Sequence, residues 1–144
     1  MDEEAITSPR EGALSHVSHV EINVSNLDVA VNFYSWFLER LGYKVYQEWD
    51  QGRSWKLGPT YIVVAAVDER HRGRVFHRRG PGLNHLAFHA ATRERVDQMR
   101  ETLTARGIRP LYDSPDPERI PYALYFEGPD RLKIEYVYDS DEQS

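Results

Sequence analysis

The stretch Val17-Ser18-His19-Val20-Glu21-Ile22-Asn23-Val24 returns in altered form as Leu83-Asn84-His85-Leu86-Ala87-Phe88-His89-Ala90, and that return decides the fold. In the first copy Val20, Ile22 and Val24 alternate with His19, Glu21 and Asn23, the two-residue period of a strand buried on one side. In the second, Leu86 and Phe88 alternate with His85, Ala87 and His89. Outward from the first copy, Ser25 and Asn26 offer caps for a helix, and Asp28 suits the positive end of its dipole. Ala30, Phe33, Tyr34, Phe37, Leu38 and Leu41 follow as one apolar stripe at helical spacing, and Gly42 stops it. Strand-like stretches come next around 43–48, 53–57 and 60–67, with Gln51-Gly52 and Gly58-Pro59 as turns.

The second copy opens onto the same succession. Thr92 caps a helix whose buried stripe is Val96, Met99 and Leu103, and Gly107 ends it. Strand candidates return near 108–112, 122–127 and 132–138, with Gly128-Pro129 between the last two. His19 to Gly42 is 23 residues and His85 to Gly107 is 22, so the chain is a repeat of about 65 residues, strand, helix, then three strands. Each repeat has one apolar helix to cover one face of its sheet and leaves the other face to its twin. The expectation is an α+β fold of two βαβββ repeats, a curved, cup-like mixed sheet around a central metal-binding cleft with helices outside. A single domain over 15–138 is expected, with repeat one at about 15–68, a connector at 69–81 and repeat two at about 82–138. The polar stretches 1–14 and 139–144 read as loose tails.

Composition narrows the function. A chain of 144 residues, 40% hydrophobic and 28% charged, can bury a core without disulfides. Cysteine is absent, which removes thiolate nucleophiles and thiolate metal sites and fits a cytoplasmic protein. The sequence has no apolar run of membrane-helix length, and its acidic start lacks the order of a signal peptide. A net charge of −5 argues against nucleic-acid binding, which needs cations to neutralise phosphates. Arg70, Arg72, Arg74, Arg78 and Arg79 crowd the connector. They read either as a solvated linker or as a mouth that attracts an anionic substrate.

The six histidines separate by position. His16 lies three residues from His19 and so on the opposite strand face. His71 and His77 fall in the connector, and His89 shares the face of His85 but sits roughly 13 Å further along, at the rim. His19 and His85 occupy matching places at the two repeat openings. Glu135, mid-strand in Leu132-Lys133-Ile134-Glu135-Tyr136-Val137, is a carboxylate in an apolar stretch that needs a counter-charge or a metal. Two imidazoles and one carboxylate suit Fe, Mn, Ni, Co or Zn and leave coordination positions open for substrate. Structural sites are normally closed by four protein ligands, so His19, His85 and Glu135 read as a catalytic metal set.

The βαβββ repeat carrying His19, His85 and Glu135 resembles the vicinal oxygen chelate superfamily, which includes glyoxalase I, extradiol dioxygenases, fosfomycin-resistance transferases and bleomycin-binding proteins. The resemblance runs from about Val17 to Tyr138. It is carried by His19-Val20-Glu21-Ile22-Asn23-Val24-Ser25, Phe33-Tyr34 before Leu41-Gly42, Gly82-Leu83-Asn84-His85-Leu86-Ala87-Phe88, and Tyr125-Phe126-Glu127-Gly128-Pro129-Asp130 leading to Glu135. It implies a metal-dependent dioxygenase, lyase/isomerase or transferase whose small organic substrate chelates one divalent metal through neighbouring oxygens. It also implies a homodimer, in a family whose members often exchange half-sheets. Glyoxalase I carries a further glutamate ligand where this chain has Val63 or Ala65. Extradiol dioxygenases carry a histidine upstream of the Tyr125 position, where this chain reads Asp116-Pro117-Glu118-Arg119-Ile120-Pro121.

Tyr125 and Glu135 are the expected catalytic residues, with Tyr125 positioning substrate or shuttling a proton. Glu21, Trp55, Tyr61, Val63, His89 and Tyr122 are the expected substrate pocket. The alternative is a resistance protein of the bleomycin-binding type that sequesters an aromatic compound on Trp49, Trp55, Tyr61, Tyr122 and Tyr125. No nucleic acid or membrane partner is expected.

Overall fold

The computed structural model describes residues 14–140, and the chain divides into two compact units, residues 1–66 and 67–144. The two expected tails lie almost wholly outside the described residues. In the first unit β1 (His19–Val24), α1 (Leu27–Arg40), β2 (Lys44–Trp49), β3 (Gly52–Leu57) and β4 (Thr60–Ala66) build a sheet of order β1-β4-β3-β2. β1 runs parallel to β4, and the other pairs are antiparallel. Asn26, rather than Ser25, caps α1: its Oδ1 accepts from the Val29 amide at 3.1 Å. Gly42, at φ 101°, ends the helix in the left-handed region that a side chain resists. The apolar stripe of α1 buries Ala30, Phe33, Tyr34, Phe37 and Leu38 against a sheet face that holds Val24, Trp55, Ile62 and Val64. Each large side chain so buried contributes about 1.5–3 kcal/mol.

In the second unit β5 (Leu86–His89), α2 (Arg93–Ala105), β6 (Tyr122–Glu127) and β7 (Lys133–Tyr138) form a sheet of order β5-β7-β6. β5 is parallel to β7, and β6 is antiparallel to it. Thr92 Oγ1 caps α2 by accepting from the Arg95 amide at 3.1 Å, and the helix buries Val96, Met99 and Leu103. The strand expected at 108–112 is reduced to one bridge, Pro110 to Phe126, plus a 2.9 Å bond from the Leu111 amide to the Tyr125 carbonyl. Pro110 has no amide hydrogen, so the ladder cannot extend through it. The described fold is therefore α+β with seven strands in two mixed sheets, each with a helix packed on one face. No described helix is long and apolar enough to cross a membrane.

Candidate functional site

Strand alternation gives each sheet a helix-covered face and an open face, and register decides which residues share the open one. In the second unit Ala87, Glu135 and Tyr125 are direct cross-strand neighbours. One step along, Lys133 pairs with Glu127, and His85 comes just before the first residue of β5. In the first unit Glu21, Val63, Ser54 and Gln47 form the corresponding row, next to His19, Tyr61 and Lys56. Val63 stands two residues beyond the partner of His19, as Glu135 stands two beyond the position beside His85. Val63, not Ala65, is thus the counterpart of Glu135 in register.

His85 and Glu135 meet. His85 Nε2 lies 3.0 Å from Glu135 Oε1, and His85 Nδ1 lies 2.7 Å from Asn84 Oδ1. The Asn84 amide nitrogen donates a long 3.5 Å bond to the Arg78 carbonyl, so its oxygen faces the imidazole. An amide oxygen only accepts, and the proton of His85 therefore belongs on Nδ1. Nε2 then turns its lone pair toward a carboxylate that is only 8% exposed. Two electron-rich atoms at that distance call for a cation between or beside them, either a second imidazole proton or a metal ion. The two donor atoms that meet, one imidazole nitrogen and one carboxylate oxygen, are of kinds that divalent metals take, and the Asn84 carbonyl lies against the ring's other nitrogen.

Tyr125 stands over this pair, its ring centroid 6.0 Å from that of His85. Burial first, then the charge and hydrogen bond of Glu135, hold its hydroxyl above the ordinary tyrosine pKa. It is a proton-bearing donor at the edge of the pair. His19 belongs to the other unit, where it is exposed, stacks on Tyr61 at 4.5 Å and has Nδ1 3.0 Å from Ser18 Oγ. His19, Glu21, Tyr61 and Val63 line an open depression of about 560 Å³, with Trp49 at its side. Gly52 sits where any side chain would collide with the Trp49 ring, so this glycine, expected only as a turn, also makes room for that indole. Among the described residues no group of three or more His, Asp or Glu stands where it could hold one ion.

Two expected pocket residues lie on the helix-covered faces. Trp55 is wholly buried, pairs with Ile62 and packs 6.4 Å from Tyr34 of α1. It faces the helix because its neighbours in register, Ile62 and Val20, do so. Tyr122 is 5% exposed and donates to Asp97 of α2 at 2.6 Å, again on the helix side. Neither lines the open face. His89 remains exposed on the His85 face, 3.8 Å from Asp139. Sequence reasoning passed over Asn84, Tyr112 and Lys133. Lys133 donates to Tyr112 Oη at 2.8 Å and lies 4.8 Å from the Tyr125 ring centroid. Its signal was available, since it precedes Glu135 by two residues and so shares its face.

With this geometry in place, comparison with known proteins gives the class. The model of the glyoxalase/bleomycin resistance protein/dioxygenase superfamily matches residues 16–136, and the chain belongs to that superfamily. It is 46% identical over 125 residues to the uncharacterized protein YqjT of Bacillus subtilis (strain 168), covering 85% of this chain and 98% of that one. A crystal structure of a candidate glyoxalase from Bacillus halodurans superposes with a TM-score of 0.80 at 43% identity, covering 85% and 94% of the two chains. A glyoxylase/bleomycin resistance protein/dioxygenase domain from Frankia sp. EAN1pec gives 0.67 at 26%, covering 88% and 98%.

Proposed function

We propose that the protein is a metal-dependent enzyme of the glyoxalase or dioxygenase type, acting on a small organic substrate that presents two neighbouring oxygens. The observation that supports it is His85 Nε2 standing 3.0 Å from the buried Glu135 carboxylate, with Asn84 Oδ1 against the ring's other nitrogen. His85 and Glu135 would hold one divalent ion of Fe, Mn, Ni, Co or Zn. His19 is assigned as the third ligand from its equivalence in the repeat. Such an ion, when bound, supplies Lewis-acid polarisation of substrate oxygens.

The chain's own residues supply the rest. Tyr125, with its proton held on, donates to a substrate oxygen and orients it. Val63, apolar where its counterpart is Glu135, leaves that part of the first unit without a carboxylate base. Glu21, one cross-strand step away, is then the nearest acidic group in that row. Tyr61 and Val63 line the depression of the first unit, and His89 stands exposed on the open face of the second. The reading includes a homodimer, supported by the exposed apolar side chains Val45, Tyr46 and Trp49 of β2, and a cytoplasmic location.

Reconstitution with Co(II) tests the ligand set. Visible bands of a Co–histidine site in the wild type, altered in each of His19→Ala, His85→Ala and Glu135→Ala, are expected. Identical spectra in wild type and all three variants contradict the assignment.

A further inference from the structure

The arginine-rich connector does not merely cross solvent. Arg78 Nη1 donates to Glu127 Oε2 at 2.8 Å and to the Arg131 carbonyl at 3.4 Å. Arg131 Nε donates to the same Glu127 oxygen at 2.9 Å. One carboxylate oxygen therefore serves two guanidiniums. Arg78, Arg79 and Arg131, with Phe76 and His77, line a half-open pocket of about 260 Å³.

The backbone adds a second, independent observation. Arg131 sits at φ 60°, directly after Asp130 at φ 59°, in the region where glycine is at ease and a long side chain is disfavoured. A turn that glycine would satisfy instead carries a guanidinium aimed at this cluster. Strain of that kind persists where surrounding structure holds it and gathers at binding sites. The positive field also reaches the Glu135 face. The Tyr112 hydroxyl is held below the ordinary tyrosine pKa, by the Lys133 hydrogen bond first and also by the charges of Lys133, Arg78 and Arg79, against the opposing effect of burial.

We propose that Arg78, Arg79 and Arg131 form a subsite for an oxyanion group, the carboxylate, phosphonate or phosphate of a small substrate. Guanidinium forks match such groups with paired, charge-assisted hydrogen bonds. Phe76 supplies an apolar wall, and Lys133 extends the cationic surface toward Glu135. Two residues of strand separate Lys133 from Glu135, about 7 Å, a span that a short acid bridges. That the anion belongs to the substrate rests on the metal-enzyme reading; the subsite itself does not.

The test is titration of the full chain, kept metal-free with chelator, by inorganic phosphate at fixed ionic strength, read by calorimetry. Wild type, His85→Ala, Arg79→Gln and Arg131→Gly are compared. Arg131→Gly keeps the turn, since glycine accepts its φ, and removes only the guanidinium. Saturable binding to wild type and His85→Ala, weakened about tenfold or more in both arginine variants, is expected for lost charged hydrogen bonds. No saturable binding, or undiminished affinity in both arginine variants, overturns the subsite. Loss in His85→Ala alone also overturns it, because the anion would then sit at the imidazole. A protein that never takes metal yet binds phosphate in this pattern would fail the enzyme reading and keep the subsite.

Discussion

Asn84 Oδ1 lies 2.7 Å from His85 Nδ1 while the amide nitrogen of the same Asn84 reaches the Arg78 carbonyl. The long contact of the amide nitrogen favours an Asn84 oxygen turned to the ring, and with it the Nδ1–H tautomer. Asn84→Ala is expected to lower divalent-metal affinity by about 10–100-fold, the usual effect of removing a group that orients a ligating imidazole, with little change in fold. Competition against a chromogenic chelator measures it. Unchanged affinity would mean that Asn84 does not set the ring.

Tyr125 separates binding from chemistry. Burial, and then the charge of Glu135, hold the proton on its hydroxyl, while its ring is held by Tyr112 at 5.3 Å and by Lys133. Tyr125→Phe keeps the ring. It is expected to retain metal while turnover of a responsive substrate falls by about 10²–10⁴-fold, the range for a positioned proton-bearing group. Loss of metal together with activity would instead make Tyr125 a support for the Glu135 geometry.

Glu127 gives the acid limb of stability. Burial alone would raise its pKa, but the hydrogen bonds of Arg131 and Arg78, reinforced by their charges, win and hold the carboxyl below its ordinary value. A depressed folded pKa contributes stability above the unfolded value, about 4.3. That contribution is lost as pH falls from there through the folded value. The Tm gap between wild type and Glu127→Gln is expected to be constant near neutrality and to close below about pH 4. A gap that widens with acid would contradict the pairing.

Trp55 tests the assignment of faces. Its indole is fully buried against α1, and its Nε1 has no partner in the described structure. Trp55→Ala is expected to cost about 3–5 kcal/mol of unfolding free energy. Trp55→Phe costs less, because it removes no hydrogen bond and keeps most of the contact. Denaturant unfolding checks both. Intact stability with lost ligand binding would return Trp55 to the pocket.

Much of the fold was legible because its signals are local. Val20, Ile22 and Val24 alternate cleanly, Asn26 and Thr92 are strong caps, and Gly42 and Gly107 stop the helices they end. What failed was set by partners distant in sequence. The segment 108–112 looks like a strand, but Pro110 breaks the ladder once Phe126 lies beside it. The face of Trp55 depends on pairing with Ile62. Along Arg53-Ser54-Trp55-Lys56 no apolar alternation announces it. Tyr122 was readable, since three residues of strand from Tyr125 put it on the opposite face. The proximity of His85 and Glu135 follows from parallel pairing of β5 with β7, which the repeat implies. The roles of Asn84 and Arg131 depend on an amide orientation and a backbone angle that residue types do not reveal.

The most direct measurement is the metal content of untagged protein purified without chelators, beside His85→Ala. About one Fe, Mn, Ni, Co or Zn per chain in the wild type, lost in His85→Ala while its circular dichroism and Tm hold, is the predicted result. A wild type that arrives without metal and takes none of these five ions when they are added would contradict the enzyme reading. The open faces around Tyr61 and Tyr125 would then belong to a protein that sequesters its ligand.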